Sequence, residues 1–180
     1  MSEIYSPSED SYLLSKILEK QIPKLLIKNK NLKFLEIGSG SGIQLKIAFK
    51  AGILNKNIFS SDINSNAVKK CKKLDFNCVN SNLFEKIKGK FDLIIFNPPY
   101  LPENKKEPKD SKLATTGGEK GSELINKFLK QSKKHLEENG KIFLLISNLT
   151  KDIDFLGYKK KIIGKESLFF ERLFVLELKI

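Results

Sequence analysis

The spacing of hydrophobic residues along this chain changes several times, and each change marks an element. Tyr12, Leu13, Ile17 and Leu18 recur at helical spacing. Ser8 stands where an N-cap belongs, and Glu9 and Asp10 fall in the first turn, where the helix dipole favours acids. The pattern predicts a helix to about Gln21, with Pro23 as a kink or break. Short apolar runs then alternate with helical stretches. Strands are predicted over 32–37, 57–62, 76–79, 91–96 and 141–147, and helices over 43–50, 65–74 and 121–138. Gly52 ends the first of these helices, and Asn139-Gly140 caps the last. Residues 101–120 read as a long polar loop. Strands alternating with helices imply βαβ units and a parallel sheet covered on both faces. The tail differs: after one short helical piece at 151–156, strands at 158–164 and 169–178 should pair antiparallel as a hairpin at the sheet edge.

The run from Phe91 to Phe96 is apolar apart from Asp92, as in a strand buried on both faces. Asn97-Pro98-Pro99-Tyr100 stops it abruptly. Two successive prolines cannot donate to a ladder, and Pro98 pushes Asn97 out of the helical region. A rigid amide therefore stands at the carboxyl end of a central strand, where open α/β sheets bind ligands.

Composition narrows the partners. A chain of 180 residues predicts one domain with a single core and no dividing linker. No apolar run approaches the roughly 20 residues that cross a bilayer, and the N-terminus lacks the features of a signal peptide, so a cytoplasmic location is expected. Cys71 and Cys78 are expected to be reduced and structural, without the second pair that a zinc site needs. The net charge of +12 is almost all lysine, and Arg172 is the only arginine. Such a charge permits nucleic-acid partners, but specific phosphate and base recognition favours arginine's fork. Solvated lysine faces are the plainer reading. His135 reads as a surface residue near a helix end, and Phe169, Phe170 and Phe174 as core and edge packing rather than a base-stacking platform.

Three further constellations carry chemistry. Glu36-Ile-Gly38-Ser-Gly40-Ser-Gly42 joins a strand to a helix. The glycines allow a tight turn and close approach of a ligand to backbone, and the acid suits a ligand with a cationic part. The motif is also compatible with a plain turn, and it lacks the Gly-Lys-Ser/Thr of a phosphate loop. Asp62 ends the next strand, where an acid can accept from both ribose hydroxyls of an adenosine or simply cap the following helix. Asn82 and Leu83 follow the third strand and could meet an adenine amine and ring, or form a turn. The Asn97 oxygen and the Pro98 carbonyl could together receive both hydrogens of a substrate NH2 group, which is catalysis by positioning.

Glu-Ile-Gly-Ser-Gly-Ser-Gly, Asp62 and above all Asn-Pro-Pro-Tyr resemble class I S-adenosylmethionine-dependent methyltransferases that act on amino groups. Tyr5-Ser-Pro-Ser-Glu-Asp-Ser11 and Thr116-Gly-Gly-Glu-Lys-Gly121 narrow the resemblance to the HemK/PrmC family of release factor glutamine methyltransferases, in its short eukaryotic and archaeal branch. The resemblance spans Tyr5 to about Ser147. It implies a Rossmann-like seven-stranded mixed sheet ending in an antiparallel hairpin, with residues 1–30 as a helical cap over the cofactor. It further implies cofactor contacts from Ser11, Glu36, Gly38, Gly40, Asp62, Asn82, Leu83 and Asn97, and a substrate site of Asn97, Pro98 and Tyr100. Asn82 replaces the family's usual Asp, and Ser11 its usual Thr. The implied substrate is a glutamine amide of a peptide-chain release factor. The implied partner is a small zinc-binding activator on the sheet edge between Phe76 and Val79. No metal is required by this chemistry. Rival readings are an adenine-N6 methyltransferase on DNA or RNA, a protein-lysine methyltransferase, and a non-catalytic basic adaptor.

Overall fold

The computed structural model describes residues 4–102 and 116–180. Helix α1 (Glu9–Lys28) leads into β1 (Phe34–Ile37), α2 (Ile43–Lys50), β2 (Ile58–Asp62), α3 (Ser65–Lys73), β3 (Asn77–Asn80) and β4 (Phe91–Phe96). Helix α4 (Glu123–Ser132), β5 (Leu136–Ser147), β6 (Lys159–Ser167) and β7 (Arg172–Lys179) complete the chain. The seven strands form one sheet in the order β3-β2-β1-β4-β5-β7-β6. Strands β1 to β5 run parallel, and β7 runs antiparallel to both β5 and β6. The mixed sheet and its closing hairpin are as the pattern predicted.

The side-chain period of two explains why β4 must be apolar throughout. Leu93 and Ile95 point into one core with Leu14, Leu18 and Ile22 of α1, Leu45 of α2 and Val68 of α3. Ile94 and Phe96 point into the other with Phe128 and Leu129 of α4. Asp92 is the exception because it works at the strand's mouth. Its carboxylate accepts from Asn29 Nδ2 at 3.0 Å and from the Lys33 amide at 2.8 Å, fastening the α1–β1 connection to β4.

Three local expectations are corrected. Helix α1 does not end near Gln21 but runs through Pro23 to Lys28. Pro23 is exposed, so its missing hydrogen bond falls on the solvent side while Ile22, Leu25 and Leu26 pack inward. The predicted helix over 121–138 stops at Ser132, and a short 3-10 turn Lys133–His135 precedes β5. Ser132 is fully buried and its hydroxyl bonds Leu129 O and the Tyr158 hydroxyl, so Asn139-Gly140 is not a helix cap. Those two residues lie in an irregular stretch of β5, where the pairing with β4 jumps from Leu136 to Lys141. Finally, no helix forms over 151–156. That segment is a strap across α4: Lys120 reaches Asp152 at 2.8 Å, and the Asn126 side chain bonds the backbone of Asp152 and Asp154.

Phe169 and Phe170 are not packed as expected. They sit beyond the last ladder pair, Ser167 with Arg172, in the reversal between β6 and β7, and both are almost fully exposed. Phe174, inside β7, does pack against the α4-side core. Most of the predicted loop 101–120 lies outside the described residues. No helix among the described residues is long and apolar enough to cross a membrane.

Phe143 is fully buried in β5, between β4 and β7. Phe143→Ala is expected to lower unfolding stability by about 3–5 kcal/mol through lost burial and the cavity left behind. Denaturant titration of the two proteins checks this.

Candidate active site

The order of strands reverses between β1 and β4, because the chain winds outward first through β2 and β3 and then through β5. A crevice opens there at the carboxyl edge of the sheet. It holds a cleft of about 260 Å³ lined by the ends of β1, β2 and β4, the glycine loop, and the first turn of α1. Ser11, Glu36, Gly38, Gly40, Asp62, Asn82, Leu83, Asn97 and Pro98 all line this cleft. Tyr100 does not. It is half-buried just behind the wall and packs against both cores.

The glycine loop is built by hydrogen bonds at backbone angles that favour glycine. Gly38, Gly40 and Gly42 all have positive φ, at +71°, +48° and +77°. The Gly38 amide donates to Ser61 O at 2.8 Å, and the Gly40 amide donates to Asp62 Oδ2 at 2.8 Å. A Cβ on Gly42 would press on Cys71 Sγ and Leu74 at 3.3 Å, so the loop lies directly on α3. Cys71 and Cys78 are free thiols buried beneath it, and Ser39 Oγ lies 3.4 Å from Cys78 Sγ.

Asp62 does two things in this geometry. Its Oδ2 holds the glycine loop, and its Oδ1 accepts from the Asn64 amide at 2.8 Å, turning the chain into α3. The helix cap itself is Asn64, which accepts from the Asn66 amide. Burial pushes the Asp62 carboxyl above the ordinary carboxylate range, and the Gly40 and Asn64 amides pull against that rise. Glu36 is more extreme. It sits in β1 between Ser60 and Ile95, and its Oε2 is buried without a hydrogen-bond partner. Burial, with the charges of Asp62 and Cys78 adding to it, holds its carboxyl well above the usual range. A partnerless buried carboxylate beside a cleft is what a cationic ligand would satisfy. The two buried acids therefore fit a ligand carrying positive charge and a diol.

The Asn82–Leu83 end of the cleft is less simple than the sequence implied. Asn82 Nδ2 donates to Glu85 Oε1 at 2.9 Å, which leaves its oxygen as the group that can still accept. Leu83 is buried at φ +52°, a left-handed conformation rare for a branched residue. Two hydroxyls hold it there, Ser61 Oγ and Ser81 Oγ, each donating to Leu83 O at 3.1 Å. Strain of this kind tends to gather at ligand sites.

At the opposite end stands Asn97. Its Nδ2 donates to Asp10 Oδ2 at 3.0 Å, while its Oδ1 is buried with no partner. Behind it, the segment 116–121 braces the turn. A Cβ on Gly117 would lie 2.5 Å from Pro99 O, and one on Gly121 would lie 2.4 Å from Tyr100 O. Glycine at both positions lets that backbone run against the carbonyls of the Pro-Pro-Tyr turn. Thr150 Oγ1 adds a bond to Tyr100 O at 3.0 Å.

Sequence reasoning missed several lining residues. Asp10, Tyr5, Gln44 and Leu124 all line the cleft. Asp10 read only as a first-turn acid, because its partner lies in another element far along the chain. The available signal was its place inside the Tyr5–Ser11 motif. His135 lies outside the cleft, stacked on Phe84 with ring centroids 4.8 Å apart.

The Glu36 geometry makes a pH prediction. Its folded-state pKa is raised, so ionisation penalises the native state. The penalty is absent below the ordinary glutamate pKa of about 4.3 and grows as pH rises above it. Glu36→Gln removes it. The ligand-free variant is therefore expected to melt at a higher temperature than the parent at neutral pH, with the gain shrinking toward zero near pH 4. Thermal melts across pH check this, and a variant less stable than the parent at neutral pH contradicts it.

Comparison with known proteins agrees with this geometry. Residues 11–162 match the Methyltransferase small domain family. A Methanocaldococcus jannaschii protein, itself inferred to be a protein N5-glutamine methyltransferase, is 39% identical over 188 residues, covering 97% of this chain and 90% of that protein. The catalytic subunit of the Schizosaccharomyces pombe eRF1 methyltransferase is 33% identical over 169 residues, covering 79% of this chain and 72% of that protein. Among solved structures, a Thermus thermophilus 16S rRNA methyltransferase in complex with AdoMet and guanosine superposes with a TM-score of 0.63 at 15% identity. That match covers 97% of this chain and 43% of the other, and it speaks for the fold alone. With the family matched over most of its length and two relatives above 30% identity, the chain belongs to the Methyltransferase small domain family and, within it, to the protein N5-glutamine methyltransferases.

Proposed function

We propose that this chain uses S-adenosylmethionine to methylate a glutamine side-chain amide of a peptide-chain release factor. The observation that carries the reading is the Asn97 oxygen: buried, without a partner, and at the end of a cleft whose other residues suit a cationic nucleoside. When bound, the cofactor supplies a methyl group on a positively charged sulfur. Glu36, the glycine loop and Asp62 would hold it, together with Ser11, Asn82 and Leu83, all of which line the same cleft.

The protein's own work is on the acceptor. An amide nitrogen is a poor nucleophile, because its lone pair is delocalised into the carbonyl. Alignment and exclusion of water must carry the barrier reduction. The Asn97 oxygen would accept a hydrogen bond from one N–H of the substrate NH2 group and the Pro98 carbonyl from the other, presenting the nitrogen lone pair to the methyl donor, and one of the two N–H protons would pass to solvent as the methyl group is gained. The prolines keep both acceptors in place before the substrate arrives, so little reorganisation is needed. Tyr100 packs behind them. Burial and the nearby Asp10 charge hold its hydroxyl far above its ordinary pKa, so it remains neutral.

The names of the relatives favour release factor over nucleic acid as substrate. An activator fits the same reading. Strand β3 is an outer strand paired only to β2, close to the predicted 76–79, and a partner strand could add there.

Methyl transfer from labelled cofactor to purified release factor tests the function. Transfer is expected, and label appearing only on added nucleic acid overturns the reading. Asn97→Ala should bind the cofactor normally and lose about 100-fold or more in kcat. Near-normal turnover in that variant contradicts the mechanism. Co-expression with a small zinc-binding activator should raise solubility and activity, and no change in either argues against the β3 edge as its seat.

A further inference from the structure

We propose that Asp10 is a positioning residue that fixes which way the Asn97 amide faces, and thereby makes the site a reader of NH2 donors. The inference rests on the methyl-transfer reading above and extends it to a residue outside the Asn-Pro-Pro-Tyr turn.

An asparagine side chain is nearly symmetric in shape, and rotating it by half a turn exchanges an acceptor for two donors. A turn that merely held Asn97 at the right point would leave that choice open. Asp10 closes it. An ionised carboxylate only accepts, so it binds the Nδ2 end and repels the Oδ1 end. The bond is 3.0 Å long, and Asp10 is 6% exposed, so water offers little alternative. The flipped amide would set an oxygen against a buried carboxylate oxygen. Oδ1 is therefore left without a partner in the protein, on a side chain that lines the cleft. A charged acceptor on one end of an amide also draws its electrons toward the other, which makes Oδ1 a stronger acceptor.

Asp10 is itself held. Its Oδ1 accepts from the Tyr5 hydroxyl at 3.2 Å and from the Ser11 hydroxyl at 3.1 Å, and the Ser11 amide also donates to it. Burial first, and Asp10 second, push the Tyr5 hydroxyl well above its ordinary pKa, so it keeps its proton and keeps donating. The turn carrying Asp10 is then tied to α2. Gln44 Nε2 donates to Ser11 O at 2.8 Å, and Ser15 Oγ donates to Gln44 Oε1 at 3.0 Å. Helix α2 springs from the glycine loop, and these bonds to the turn do not use the Asp10 carboxylate, so the turn stays anchored when that side chain is changed.

The consequence is selectivity for a neutral NH2 group. Two acceptors, Asn97 Oδ1 and the Pro98 carbonyl, suit a nitrogen with two hydrogens and an available lone pair. A carbonyl or ether oxygen at the same place would find no donor on Asn97.

The test uses three variants of the full chain. Asp10→Asn keeps the shape but restores the choice of amide direction, so kcat on release factor should fall about 10- to 100-fold, with cofactor affinity within about threefold of the parent. Asn97→Asp sets two carboxylates face to face and should be inactive. The double variant Asp10→Asn with Asn97→Asp rebuilds the pair in reverse: residue 10 donates, and residue 97 again offers an oxygen to the cleft. It should recover at least about tenfold over Asn97→Asp alone, a rescue that a purely structural role for Asp10 does not give. Unchanged kcat in Asp10→Asn, or no recovery in the double variant, overturns the proposal. One readout needs no substrate. The Asn97 side-chain NH2 hydrogens should exchange with solvent at least about tenfold faster in Asp10→Asn than in the parent, measured by NMR. Equal rates overturn the clamp. If the parent transfers no methyl group to release factor, the substrate reading falls while the exchange rates still decide the clamp.

Discussion

One hydrogen bond joins the carboxyl end of a central strand to the first helix. Asn97 stands at the carboxyl end of β4 and Asp10 in the first turn of α1, and their side chains meet across the mouth of the cleft. Much of the surrounding architecture exists to make that meeting possible. Helix α1 must lie across the sheet face formed by Leu93, Ile95 and Phe143, which is why Leu14, Leu18 and Ile22 are fully buried along it. Its far end is fastened to the start of β4 through Asn29 and Asp92, so the helix and the strand are tied at both ends. Between those two ties the side chain of Asn97 has little freedom, a constraint that the proposed transfer to a poor nucleophile requires.

The cofactor half answers a different demand. Glu36 and Asp62 are acids placed where acids are costly, buried within one crevice with their carboxyl groups pushed upward in pKa. Asp62 recovers part of that cost by accepting two backbone amides and thereby shaping the glycine loop. Glu36 recovers nothing within the protein for Oε2. A native state that carries an unanswered buried carboxyl is less stable than it need be, and a cationic ligand that pairs with it binds and stabilises at once. Stability given up at a site is the usual companion of function.

Most of the fold was legible in the sequence because it depends on local periodicity. The strand 91–96, the glycine loop and the closing hairpin each announced themselves by apolar spacing, by Gly or by Pro. What was not legible depended on distant partners. Pro23 reads as a break until the exposure of that face is known. Asn139-Gly140 reads as a helix cap until Ser132 is seen closing α4 against Tyr158. Phe169 and Phe170 look like core until the ladder is seen to end before them. The site follows the same rule. Glu36, Asp62 and Asn97 are visible at strand ends, whereas Asp10 gains its meaning only from β4, and Leu83's left-handed backbone only from the two serines that hold it.

Tandem mass spectrometry of release factor incubated with this chain and S-adenosylmethionine tests the account most directly. A single added methyl group on the side-chain nitrogen of one glutamine is expected. A methyl group on a lysine of the release factor, with its glutamines unmodified, would contradict it.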